Sequence, residues 1–223
     1  VLPGLDGTGK LLTAFAAALA DVAPTELVTY PVDTVLGYRE LELRVRSALP
    51  HAQPYVLLAE SFSGPIALRI AASPPPGLAA LILCATFARS PYPQLKWLRH
   101  VVSRVPLKSL PRWLRAPLMW GSVRPQRAPA QALRATAGVA APVLRHRLAE
   151  VLGIDVLAVL PHVRMPTLVI EGSDDRLVPH SATAALLHGL PAARHVRIEG
   201  PHLLLQSRPR ECAAVITQFL QSL

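Results

Sequence analysis

Six short runs, apolar and largely β-branched or leucine-rich, recur along the chain at residues 1–2, 27–30, 55–59, 79–84, 167–171 and 195–199, and they predict buried strands. Most lead into a turn signal and then into a stretch of helical periodicity, at 11–20, 38–49, 64–72, 180–187 and 208–223. Strand and helix in alternation imply a parallel sheet with helices on both faces. The rhythm fails once. The fourth and fifth runs are separated by residues 85–166, about 80 positions and several times an ordinary crossover. Pro91, Pro93, Pro106, Pro111, Pro117, Pro125, Pro129 and Pro142 would break this stretch into short helices. The expectation is a core made of residues 1–85 and 166–223, with residues 86–165 inserted as a helical cap that also holds Trp97, Trp113 and Trp120.

Composition narrows the classes. A chain of 223 residues has the size of one domain carrying an insertion, and its core needs no staples. Hydrophobic residues at 51% with 17% charged exclude a disordered chain, and no apolar run approaches the length of a membrane span. A soluble globular protein is expected, with the cytoplasm as its compartment. The chain opens on Val1 rather than Met, which reads as a fragment or a trimmed start and leaves an upstream signal open. Cys84 and Cys212 exclude a disulfide-dense scaffold, offer no zinc spacing, and are expected to be buried thiols. The formal charge of +9 is uneven: the stretch from Arg89 to Glu150 holds 12 Lys and Arg against one acid.

Candidate chemistry lies where strands end. Tyr55-Val56-Leu57-Leu58-Ala59-Glu60-Ser61-Phe62-Ser63-Gly64-Pro65 reads as strand, polar pair and helix. A nucleophilic serine on so tight a turn demands small residues two before and two after it, here Ala59 and Ser63 where glycines are usual. Helix N-capping, by Ser61 or by Ser63, is the plainer role for such serines. Further on, Glu171-Gly172-Ser173-Asp174-Asp175-Arg176-Leu177-Val178-Pro179 takes a strand into an acidic loop, and Gly200-Pro201-His202 again follows a strand. Catalytic groups in parallel sheets gather at the carboxyl ends of strands, so Ser61, Asp175 and His202 are the candidates, with Asp174 as the rival acid. Near the start, Pro3-Gly4-Leu5-Asp6-Gly7-Thr8-Gly9 is a Gly-rich loop whose amides can approach a developing oxyanion.

On these residues the chain resembles the α/β-hydrolase superfamily along essentially its whole length. The most specific matches are Gly172-x-x-Asp175-x-x-x-Pro179 and Gly200-x-His202, together with the chain order Ser, Asp, His. The resemblance implies an α/β-hydrolase fold, a mostly parallel sheet of about six strands flanked by helices, with a cap inserted between the same two strands. It also implies Ser61 as nucleophile, His202 as general base and acid, Asp175 as the group that orients the imidazole, and the backbone amides of Leu5 and Phe62 as the oxyanion hole. The Leu-Pro-Gly-Leu-Asp-Gly-Thr-Gly opening and the Ala-Glu-Ser-Phe-Ser-Gly turn further resemble the esterase-like and acyltransferase-like relatives of phytyl ester synthases. Ala59, Ser63 and Pro3 depart from the family pattern, and the two strands that usually precede the oxyanion loop are missing, which implies a trimmed or minimal sheet. The implied activity is that of a serine carboxylesterase acting on an apolar acyl ester, with acyltransferase or thioesterase chemistry as the alternatives on the same triad. It requires no metal or organic cofactor.

Other readings compete. Gly4-x-x-x-x-Gly9-Lys10 satisfies most of a phosphate-binding loop, with Glu60 as an acidic strand end, but Leu11 replaces the Ser or Thr that would bind magnesium. A non-catalytic binding module on the same fold is a third class. Within the insertion, Lys96, Arg99, Arg104, Lys108, Arg112 and Arg115, interleaved with Trp97, Leu98, Leu110, Trp113 and Leu114, suit weak contact with an anionic membrane surface. A solvated basic face is the plainer alternative. A small-molecule ester is the expected partner, and no nucleic-acid reader motif accompanies the charge.

Overall fold

The computed structural model describes residues 1–51, 53–102 and 136–223. Among them, four strands form one sheet in the order β1 (Tyr55–Glu60), β2 (Leu78–Cys84), β3 (Thr167–Asp174) and β4 (Arg194–Pro201), all parallel. Parallel strands require crossovers that lay helices on the faces, so the inner strands are covered on both sides and β1 and β2 run apolar up to Glu60 and Cys84, whereas the outer strand β4 alternates and leaves Arg194, Arg197 and Glu199 exposed. On one face Leu57, Ala59, Leu81, Leu83 and Val169 pack with Leu41 and Val45 of helix α2 (Tyr38–Ala48), Ile66 and Ile70 of α3 (Gly64–Ala72) and Leu186. On the other, the alternate strand residues Leu58, Ala80, Ile82, Cys84, Leu168 and Ile170 pack with Phe15 and Leu19 of α1 (Thr13–Leu19). Cys212, Ile216 and Phe219 of the last long helix, Pro209–Leu220, complete that face. Both cysteines are buried free thiols there, and burial pushes Cys212 up to about 12.

Among the described residues the sheet is narrower than six strands. Leu2 makes only a single parallel bridge to Ala59, and residues 27–30 form no strand. The second segment still runs beside the first, with Val28 N–H donating to the Val1 carbonyl at 3.0 Å and Tyr30 N–H to the Gly7 carbonyl at 2.8 Å. Its partner is too short for a ladder, because Pro3 has no N–H to continue the pairing.

Between β2 and β3 the described residues are helical turns and one longer helix, α4 (Ala141–Gly153), with a 3-10 turn at Pro93–Leu98, a short helix at Arg99–Val102 and a second 3-10 turn at Leu157–His162. Trp97 is exposed. Of the basic, aromatic and leucine residues singled out in this segment, Arg104, Lys108, Leu110, Arg112, Trp113, Leu114, Arg115 and Trp120 lie outside the described residues. No helix among the described residues is long and apolar enough to cross a membrane.

Candidate active site

Ser61, Asp175 and His202 are each the first residue beyond a strand, β1, β3 and β4 respectively. Because the strands are parallel, all three emerge at the same edge of the sheet. There they meet. Ser61 Oγ lies 2.8 Å from His202 Nε2, and His202 Nδ1 lies 2.8 Å from Asp175 Oδ2. With Nδ1–H donating to the carboxylate, Nε2 is left to accept the serine hydroxyl. Asp175 Oδ1 accepts the N–H groups of Leu177 at 2.9 Å and Val178 at 2.8 Å, so the loop that carries the acid also fixes it. The imidazole and this carboxylate are both buried, whereas Ser61 is partly open to solvent. Burial works against the protonated imidazole, yet the charge and hydrogen bond of Asp175, joined by the charge of Glu60, lift the His202 pKa above its ordinary value. Asp174 instead pairs with Arg176 at 3.3 Å. His180 starts a helix and His162 ends a 3-10 turn.

Ser61 sits at φ +49°, a left-handed conformation that costs a β-carbon-bearing residue about 1–3 kcal/mol. The surroundings hold it there. Thr86 Oγ1 donates to the Ser61 carbonyl, and Gly64 comes so near that a β-carbon on it would lie 1.9 Å from Thr86 Oγ1. The glycine that this turn needs is therefore three residues after the serine rather than two. Ser63, which stands where a glycine is usual, is fully buried and donates to the Pro3 carbonyl. Its hydroxyl has only one proton, so the contact of 2.6 Å with Tyr30 is donated by the tyrosine.

The Gly-rich loop passes alongside. A β-carbon on Gly4 would lie 3.9 Å from Ser61 Cβ, and Gly7 N–H closes a turn onto the Gly4 carbonyl at 3.0 Å. Leu5 is thus the second residue of a four-residue turn beside the serine, and Phe62 directly follows the serine inside a 3-10 turn. The Leu5 and Asp6 carbonyls accept from the Arg147 guanidinium, and Lys10 is exposed. Among the described residues, no group of three or more His, Cys, Asp or Glu could hold a metal ion.

Two residues here were not picked out as site residues from the sequence. Glu60 is buried between the loop and the histidine, and Gln206 Nε2 donates to its Oε1 at 2.8 Å. Burial raises its carboxyl to about 7, against the opposing pull of Gln206, His202 and the Gly4 N–H. Its place next to the serine was the available signal. Arg147, 1% exposed, gave none, being one cation among the many of its segment.

Among solved structures, the chain is similar to the enol-lactonase from Burkholderia xenovorans LB400, at 18% identity over 98% of this chain and 88% of that one, with a TM-score of 0.79. It is similar to a thermophilic esterase from Thermogutta terrifontis, at 21% identity over 96% and 86%, TM-score 0.76. It is likewise similar to a bromoperoxidase from Bacillus anthracis, at 14% identity over 99% and 90%, TM-score 0.80. A family model for serine aminopeptidase, S33, a hydrolase family, matches residues 38–205, well over half of the chain. The protein therefore belongs to that hydrolase family and is built on the α/β-hydrolase fold.

Proposed function

We propose that the protein cleaves carboxylic esters of apolar acyl groups through an acyl-enzyme intermediate. The observation that carries this reading is the continuous chain of short contacts from Ser61 through His202 to Asp175. A serine hydroxyl is a weak nucleophile at its free pKa, so His202 Nε2 takes its proton as Oγ attacks the ester carbonyl. The carbonyl π pair moves onto oxygen, where the Leu5 and Phe62 N–H groups would stabilise it. When that pair returns, the bond to the alcohol breaks and the imidazolium supplies the proton that the alcohol leaves with. Water then repeats the sequence on the acyl-serine and releases the acid. Asp175 holds the imidazole in the tautomer this requires and stabilises its charged form.

The neighbouring lactonase and esterase support ester chemistry on this fold, and Leu11, in place of the Ser or Thr that would bind magnesium, speaks against the nucleotide alternative. The family description favours one second reading, hydrolysis of an aminoacyl amide by the same triad. We read residues 86–165 as a cap over the core formed by 1–85 and 166–223, with the acyl chain between them, where such folds make their apolar clefts.

The test is turnover of a chain-length series of p-nitrophenyl esters beside aminoacyl p-nitroanilides, by wild type and Ser61→Ala. Esters should be cleaved, with kcat falling by about 10⁴-fold or more in the variant. A fluorophosphonate should label wild type at Ser61. Full turnover by Ser61→Ala would overturn the assignment, and preference for the anilides would favour the peptidase reading. Transfer of the acyl group to an added alcohol or thiol in place of water would mark an acyltransferase, and preference for acyl thioesters a thioesterase.

A further inference from the structure

Among the described residues, Arg147 is the one arginine among the large fully buried side chains, and it comes from α4, in the segment inserted between β2 and β3. A buried cation normally finds a carboxylate. The hydrogen bonds of Arg147 go instead to backbone carbonyls: Nη1 donates to Leu5 at 2.9 Å and to Asp6 at 3.0 Å, and Nη2 to Pro31 at 2.8 Å. Its Nε is buried without an acceptor. Leu5 and Asp6 are the two central residues of the turn that Gly7 N–H closes onto Gly4. One nitrogen thus grips both free carbonyls of that turn from outside, and the fit is close. A β-carbon on Gly7, which holds φ +71°, would lie 2.5 Å from Nη1.

The same guanidinium reaches the other side of the nucleophile. It lies 5.6 Å from the ring centroid of Tyr30, whose hydroxyl donates to Ser63 and whose ring meets Phe62 edge-on at a centroid distance of 6.2 Å. Arg147 therefore touches the Leu5 turn directly and the Phe62 turn through Tyr30. The three carbonyls are shared between two nitrogens of one planar fork; a lysine ammonium would keep the charge and three donors but place them all on a single nitrogen and lose that spacing.

We propose that Arg147 is a positioning residue for ester cleavage: it locks the Gly4–Gly7 turn so that the Leu5 N–H stays aimed at the oxygen on which charge develops. This rests on Ser61 being the nucleophile. A preorganised donor acts in the transition state more than in the ground state, so the loss should fall on kcat.

The experiment compares wild type, Arg147→Lys and Arg147→Ala on one p-nitrophenyl ester, with rates counted per site that a fluorophosphonate labels, so that only folded enzyme enters. Arg147→Lys should lose about 10- to 100-fold in kcat with KM within about threefold, and keep the wild-type pH profile because the surroundings of His202 are untouched. Arg147→Ala should recover part of its rate in dilute guanidinium chloride and none in methylammonium chloride of equal ionic strength. Wild-type kcat per labelled site in Arg147→Lys, a loss confined to KM, or equal rescue by both cations would overturn the proposal. Absence of labelled sites in both variants would also overturn it and make Arg147 a residue of the fold alone. Failure of the ester reading is separate: wild type would then neither label at Ser61 nor lose turnover in Ser61→Ala.

Discussion

Glu60 lies immediately before Ser61, the proposed nucleophile, and its charge acts on His202, the proposed base. Burial holds its carboxyl near 7, while His202 is raised above its ordinary value by Asp175 and Glu60 despite burial. Each charge acts on the other group, so the acid limb of the pH–rate profile belongs to the pair rather than to either residue. His202 must be neutral to accept the serine proton; activity is therefore lost as pH falls through the raised value. Removing the Glu60 charge lowers the His202 pKa, so Glu60→Gln should move the acid limb of kcat/KM to lower pH. Profiles recorded from about pH 5 to 9 on one ester test this, and an unmoved or upward-moved limb would refute it.

At the scale of elements, the turn between β1 and α3 is tied to the first loop by one hydroxyl. Ser63 donates to Pro3 and accepts from Tyr30, and all three residues are buried. Ser63→Ala leaves a buried carbonyl and a buried phenol without partners and should cost about 1–3 kcal/mol, read as a lower urea midpoint with unchanged slope. Tyr30→Phe should cost less, because the bond from Ser63 to Pro3 survives, and the double variant should fall short of the sum. A midpoint unchanged in Ser63→Ala would mean that the hydroxyl holds nothing. This turn also marks where sequence pattern stops being informative. The apolar runs of β1 to β4 and the positions of Ser61, Asp175 and His202 could be read because each is written in a short contiguous stretch. Residues 27–30 have the pattern of a strand but lack a partner long enough to pair with. Gly64 and Ser63 could be seen as small but not as necessary, since Thr86 and Pro3, which make them so, are distant in the chain. Arg147 is further removed still: its loop lies about 140 positions away, and helical periodicity does not tell a buried guanidinium from a solvated one.

For the whole molecule, the raised groups at the sheet edge set how stability responds to pH. A carboxyl lifted from 4.5 to about 7 keeps its proton in the folded state where the unfolded chain has lost it. The contribution of Glu60 to stability is therefore fully present below about pH 4.5 and is lost until about pH 7, by about 3 kcal/mol. His202, also raised, adds to the decline from its ordinary value upward. The urea midpoint should fall between about pH 5 and 8 in wild type and fall less in Glu60→Gln; a wild-type midpoint that rises would contradict this. The grip of Arg147 carries a different lesson for anyone who would re-engineer this scaffold. Trading the segment between β2 and β3 for that of another hydrolase, the obvious way to alter what it accepts, would also remove the guanidinium latch from beneath the N-terminal loop. A chimaera that transplants a new lid without an arginine at this spot should bind its new ligand and turn it over poorly, and restoring that one side chain should recover speed before any further tailoring of the pocket.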